Sequence, residues 1–280
     1  MCMGLGCNAV GVAGCRIIQS PRERMIALLT NSLVPCNGRF PALIALISMF
    51  FAFGSGIVHS LTGTFLLLAV LMLSLFVTFL CSWFLSRTIL SGMTSAFALE
   101  LPPYRQPKWG EVLIRSLLDR TLFVLGRAVA VAAPAGAVVW CLSNLQINGV
   151  SLLQHFSSVL DPAGRLLGMD GVILLAFILG FPANELVLPM ILMIYQQHSV
   201  LMELQGLETV RQILLQNGWT LWTALSVVVF LLFHWPCSTT VLTIWKETHS
   251  VRWTSLGVLL PTGAGIVLCL LIRIIRLLPL

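Results

Sequence analysis

Two stretches of this sequence set thiols, amides and hydroxyls where an apolar helix would otherwise run unbroken: Val34-Pro35-Cys36-Asn37 and His234-Trp235-Pro236-Cys237-Ser238-Thr239-Thr240. A proline inside a helix removes one donor and displaces the carbonyl one turn back, so each Pro-Cys pair lies beside freed carbonyl oxygens. Two further stretches, Gly4-Leu5-Gly6-Cys7-Asn8 and Gly180-Phe181-Pro182-Ala183-Asn184-Glu185, share a Gly-x-x-x-Asn spacing. Pro182 suits the first position of a restarted helix, which puts Asn184 and Glu185 in a first turn whose partial positive charge favours a carboxylate. Glu185 is the only acid between Asp170 and Glu203. A mid-bilayer acid costs about 2.5–3.5 kcal/mol, so it should face a cavity, a cation or a partner such as Arg127. Thiol, carboxylate, imidazole and carbonyl oxygens form a borderline donor set. It points towards iron(II), copper or zinc rather than alkali ions or magnesium. His234 reads first as a packed or hydrogen-bonded histidine.

The elements that must carry these residues are membrane helices. Of 280 residues, 58% are hydrophobic and 9% charged, against about 25% charged in soluble domains. Residues 40–58, 61–86 and 253–272 hold no charge, and 212–245 hold only His234. Such runs cross a hydrocarbon layer of about 30 Å as helices, and the period-two alternation of a barrel is absent. The fold class is all-α: a polytopic transmembrane bundle of about six helices, with broken helices and two gate-type repeats. The net charge of +6 does not imply nucleic acid, because the basic residues flank the membrane; the partner is the lipid bilayer. Eight cysteines occur without a C-x-x-C pair, and most pack as small hydrophobes. Paired carboxylates, a nucleophile elbow and an H-E-x-x-H helix are all missing, so no enzyme is expected. No signal peptide is evident either.

The expected spans are 40–59, 62–85, 121–143, 171–196, 220–246 and 253–275, preceded by two short apolar stretches, 3–18 and 25–36. An amphipathic helix is expected at 110–120. Residues 150–168 read as an interfacial segment with a turn at Asp161-Pro162, and 197–218 as an exposed loop or surface helix. Arg87, Arg105, Lys108, Arg115, Arg120 and Arg127 surround one loop, which the positive-inside rule places in the cytoplasm. Residues 144–170 then lie outside, with 197–218, Arg273 and Arg276 inside. Lys246 and Arg252 fall outside, against the rule. Each half of the chain holds a Gly-x-x-x-Asn break followed by a Pro-Cys break. Corresponding broken helices in two repeats are the sequence sign of a midplane transport site. The division expected is a partial first gate region at 1–60, spans with a basic loop at 61–169, and a second gate region with the C-terminal span at 170–280.

These motifs, together with Gly38-Arg39-Phe40-Pro41, Glu100-Leu101-Pro102-Pro103-Tyr104-Arg105 and Lys246-Glu247-Thr248, resemble in order the membrane domain of the FeoB family of ferrous iron transporters. The resemblance implies a prokaryotic cytoplasmic (inner) membrane, Fe²⁺ as the transported ion, and two gates. Cys36 and Cys237 would be the pathway thiols, with Cys7 nearby and Glu185 as the acid of the second gate. Asn8, Asn37, Asn184, Ser238, Thr239 and His234 would line the path. The family's Ala-Lys-Glu stands here as Ala183-Asn184-Glu185, and no proline follows Cys7. The family's GTPase domain and its G-x-x-x-x-G-K-[ST] loop are absent from these residues, so no GTP site is expected and a separate GTPase domain or subunit is implied. A homo-oligomer is compatible with this. Two alternatives stand beside this reading: a gate of the same kind for a nucleoside or other organic solute, and a non-transporting scaffold for a GTPase.

Overall fold

The computed structural model describes residues 2–52, 54, 56–90, 110, 114, 123–147, 150–196 and 206–277. The expected amphipathic helix at 110–120 lies outside the described residues, apart from positions 110 and 114. Helices α1 (Cys2–Gly6) and α2 (Asn8–Gly14) open the chain. Helix α3 (Pro21–Thr30) begins where Ser20 accepts the Glu23 N–H, with Pro21 in its first turn. It gives way to two short 3-10 turns, Asn31–Leu33 and Asn37–Arg39, one on each side of Pro35, before α4 (Phe40–Phe50). Together they form one broken span, Pro21–Phe50, of 30 residues. This corrects the expected span at 40–59. The stretch 25–36, too short to cross alone, is the first half of the crossing, and α4 ends at Phe50.

Helix α5 (Ile57–Arg87) is unbroken and contains the expected 62–85. Helix α6 (Phe123–Asn144) falls on the expected 121–143, and a two-residue antiparallel ladder, Gln146↔Ser151 and Ile147↔Val150, follows it. Helices α11 (Leu221–Phe233) and α12 (Ser238–Thr248) form a second broken span, Leu221–Thr248, and α13 (Val251–Leu277) a continuous one. The apolar windows of the two broken spans are 67% and 72% buried, against 11% for α5 and 17% for α13. The broken helices therefore occupy the protein interior. The intact ones turn Phe65, Phe76, Phe79, Leu259 and Val267 outward, as lipid-facing helices do.

Helix α7 (Leu152–Leu166) meets α8 (Gly171–Leu179) at 106°. It continues through Pro162, so Asp161-Pro162 is not a turn; Asp161 instead pairs with Arg165 at 2.7 Å and accepts the Gly171 N–H at 3.1 Å. After a break, α9 (Val187–Gln196) follows. Asp170 caps α8 through the Ile173 N–H at 2.8 Å, and its other oxygen accepts a hydrogen bond from Tyr195 in the last turn of α9. Trp219 in turn donates to the Tyr195 hydroxyl at 2.9 Å. The beginning of α8 and the end of α9 are thus side by side, and 171–196 is a hairpin rather than the expected span. Each arm is about 15 Å long, roughly half the hydrocarbon thickness. The first repeat has a smaller version: α1 and α2 fold so that Met3 Sδ lies 3.0 Å from the Cβ position of Gly14.

The hairpin changes the topology. Arg165, residues 168–170 and residues 217–219 line one cavity of about 210 Å³ with Arg276, and Arg165 lines a second, of about 260 Å³, with Arg273 and Arg276. Residues on both sides of the hairpin, and the end of α13, therefore share one face. On the opposite face, Arg16 and Arg24 pair with Glu247 at 2.6 and 3.1 Å, and Arg22 donates to the carbonyls of Ser86 and Leu90. Lys246 and Arg252 consequently lie with Arg22 and Arg87, and Arg273 and Arg276 lie opposite, reversing the expected placement of both pairs. The described residues 150–170 and 206–218 likewise lie on one side, where the expectation had divided them. Helix α10 (Leu207–Gln216) is the surface helix expected within 197–218.

Two measurements check this arrangement. In a background with the native cysteines replaced, Arg165→Cys and Asn217→Cys should react with an impermeant maleimide from the same face of the membrane. Labelling from opposite faces would mean that 171–196 crosses. Gly171→Ala should lower the unfolding temperature in detergent, because a Cβ there would sit 1.9 Å from the Ser157 carbonyl oxygen. Overpacking of this kind costs about 1–3 kcal/mol.

Candidate functional site

Proline at 236 cannot donate, and its ring excludes the carbonyl four residues back, that of Leu232. Helix α11 accordingly makes its last regular bond from His234 N to Phe230 O, at 2.7 Å. The carbonyls left over are buried and each needs a partner. Leu231 O accepts from His234 Nδ1 at 2.9 Å. Three others are taken by one side chain from the opposite repeat: Arg39 donates to Leu232 O at 2.7 Å, His234 O at 3.0 Å and Trp235 O at 3.3 Å. The Arg39 side chain is fully buried, and no carboxylate pairs with it among the described residues.

The break of the second span is tied to the hairpin tip as well. Ser238 N donates to Phe181 O at 3.0 Å and its hydroxyl to Pro182 O at 3.4 Å. The first repeat repeats the theme. Asn31 Nδ2 donates to Asn8 O at 2.9 Å, and the Asn8 amide, oriented by its surroundings, donates to Gly4 O at 3.0 Å and Val34 O at 3.2 Å. Gly4 and Gly11 permit this approach, since a Cβ on either would fall 2.7 or 2.5 Å from Asn31 Oδ1. From α5, Ser74 closes the accounting by donating to Leu33 O at 3.0 Å. The turn Asn37–Arg39 packs against the turn Asn184–Leu186, so three of the breaks meet in the interior.

The candidate thiols are placed symmetrically. Cys36 precedes the turn Asn37–Arg39 and Cys237 precedes α12, each as the residue before a helical restart. Cys36 is buried and Cys237 half-buried, the latter 3.2 Å from Thr240 Oγ1. Cys36 is three residues before Arg39, and Cys237 follows by two residues the Trp235 whose carbonyl Arg39 holds. Asn8, Asn184, His234 and Ser238 are buried, whereas Asn37 is exposed and Thr239 half-buried. Two expected ligands are exposed. Cys7 sits between α1 and α2 with an exposed side chain, and Glu185 opens the restart at Asn184 with its side chain exposed. Among the described residues, no three His, Cys, Asp or Glu side chains converge on one point. His234 is hydrogen-bonded and packed against Phe177, at a ring-centroid distance of 5.1 Å. With its proton on Nδ1 towards Leu231 O, its Nε2 lone pair is left without a partner.

Arg39 is the residue that motif reading missed. Its signal was present: it is the only Asp, Glu, Lys or Arg between Arg24 and Arg87. It lies inside the broken span Pro21–Phe50 rather than at the edge of one.

Residues 67–119 match the family model described as ferrous iron transport protein B C terminus. The chain is 28% identical, over 96% of its length, to the Fe(2+) transporter FeoB of Staphylococcus aureus (strain MSSA476). It is 26% identical over 92% to that of Synechocystis sp., and 24% identical over 93% to that of Leptospira biflexa. It spans 39–40% of the length of these relatives. No solved structure matches it. Over nearly its whole length, then, this membrane helix bundle is similar to the C-terminal part of the ferrous iron transport protein B family.

Proposed function

We propose that the chain forms the gated membrane pathway of a ferrous iron transporter, carrying Fe²⁺ inward across a prokaryotic cytoplasmic membrane. The observation that carries this reading is the meeting of two oppositely directed broken spans in the protein interior, each with a thiol at its break. Their hairpins enter from opposite faces: α1–α2 from the face of Arg16, α8–α9 from the face of Arg276. That is the arrangement expected of inverted repeats in transporters. The first gate lies within residues 1–60, the second within 170–280, and 61–169 supplies flanking helices and a basic loop.

Charge supports the orientation. Arg16, Arg22, Arg24, Arg87, Lys246 and Arg252 share one face, and Arg105, Lys108, Arg115 and Arg120 follow Arg87 in sequence. The rule that cytoplasmic loops are basic makes this the cytoplasmic face, with Lys246 and Arg252 now in accord. Cys36 and Cys237 act as transient ligands along the path, with Glu185 at the hairpin tip drawing the cation in. The sparse donor set fits transport: a conducted ion needs contacts weak enough to leave. Driving and regulation belong to a GTPase supplied from outside these residues, as a further segment or a separate subunit.

Fe²⁺ uptake is the decisive assay, in a strain lacking its own ferrous transporters, with the chain expressed alone and with a family-type GTPase domain. Uptake should appear with the GTPase. Cys237→Ser and Glu185→Gln should each reduce it about tenfold or more, the loss of one charge-assisted contact, at unchanged membrane abundance. Normal uptake in both variants would remove these residues from the path.

A further inference from the structure

Arg39 does more than a structural arginine requires. Its guanidinium stands among three main-chain carbonyl oxygens at 2.7–3.3 Å, and a cluster of inward-pointing carbonyls is how proteins hold a partly dehydrated metal cation. A buried arginine that serves only packing is normally paired with a carboxylate and has its donors satisfied. This one has no carboxylate partner among the described residues, and its Nε–H, fully buried, donates to nothing. An unmet buried donor costs about 1–3 kcal/mol. The cradle is therefore well formed for a cation, while arginine fills it incompletely. Cys36 is three residues from Arg39 and Cys237 two residues from the Trp235 carbonyl it holds, so a metal ion near the thiols and Arg39 in the cradle repel each other.

We propose that the carbonyls of Leu232, His234 and Trp235 form a cation site which Arg39 occupies as a tethered substitute, and that a divalent cation takes the site when Arg39 swings out. In the structure described here the arginine closes the gate. It comes from the first repeat and seals the break of the second, so its departure loosens the contact between the two. This rests on the reading of the chain as an ion pathway, and it adds a site built from backbone oxygens to the two thiols.

The test is Co²⁺ binding, as an air-stable stand-in for Fe²⁺, by titration calorimetry on the full chain in lipid nanodiscs. Removing the tethered competitor should tighten binding about tenfold in Arg39→Ala, the effect of a competent fraction near one tenth in the parent. Millimolar methylguanidinium should compete with Co²⁺ in Arg39→Ala and leave the parent chain unaffected. Arg39→Lys keeps the charge but loses the fork and should fall between the two; if Arg39→Ala does not assemble, Arg39→Lys decides alone. Parental Co²⁺ affinity in a folded variant, or indifference of Arg39→Ala to methylguanidinium, overturns the proposal. If that occurs while Fe²⁺ uptake still depends on Cys237, the transport reading stands without it. Absence of both Co²⁺ binding and Fe²⁺ uptake in every form overturns both.

Discussion

A helix broken inside a membrane must find partners for the backbone groups it releases, because the surrounding hydrocarbon offers none. Here Arg39 answers that requirement at the second break, satisfying three carbonyls from across the repeat boundary. Much of the remaining architecture follows from it. A guanidinium cannot be left facing lipid, so the broken spans must lie inside, and α5 and α13 form the outer wall. The carbonyls it meets come from a neighbouring element, so the two spans are held in register at their breaks rather than along continuous ridges. The hairpin tip completes the enclosure, since Ser238 is bonded to Phe181 and Pro182 at the point where α12 restarts.

The two repeats solve the same problem with different chemistry. In the first, neutral amides do the work: Asn31 and Asn8 hold each other's neighbourhood, and Ser74 reaches in from α5. Neutral hydrogen bonds contribute about 1 kcal/mol each and carry no net charge. The second break relies on a cation. A neutral lock leaves the local field unchanged, whereas a guanidinium repels any other cation brought near it. The two halves therefore differ in kind: the first break is closed by neutral groups, the second by a charge.

How far the sequence reveals this depends on the kind of constraint. Pro236, Pro35 and the Gly180–Glu185 region mark where helices stop, because proline chemistry acts within one turn and needs no tertiary information. The lengths and apolarity of α5, α6 and α13 are equally local. Whether 171–196 crosses or folds back is not local. Twenty-six residues would extend about 39 Å if straight, ample for a span, and the same break permits a hairpin. The decision is made at the base, by Asp170, Tyr195 and Trp219, which are distant in sequence and ordinary in type. Reading 171–196 as a span inverts the sides of every later element, and Lys246 and Arg252 conflict with the charge rule for that reason alone.

The site shows the same division. Cys36 and Cys237 stand out because a thiol beside a proline is unusual chemistry that recurs, and Arg39, three residues from Cys36, bonds the Trp235 carbonyl two residues before Cys237. Glu185 stands out as a lone acid, yet its side chain is exposed at the hairpin tip. Being alone in an apolar stretch says that a charge must be accommodated, not how. For Glu185 the accommodation is exposure at the end of a short re-entrant arm. For Arg39, equally alone, it is burial among carbonyls that belong to another segment. What distinguishes the two is the partner, and backbone carbonyls freed by a proline are partners that no side-chain motif records. A lone basic residue near one Pro-Cys break therefore becomes interpretable only when a second such break lies elsewhere in the chain with carbonyls left unpaired.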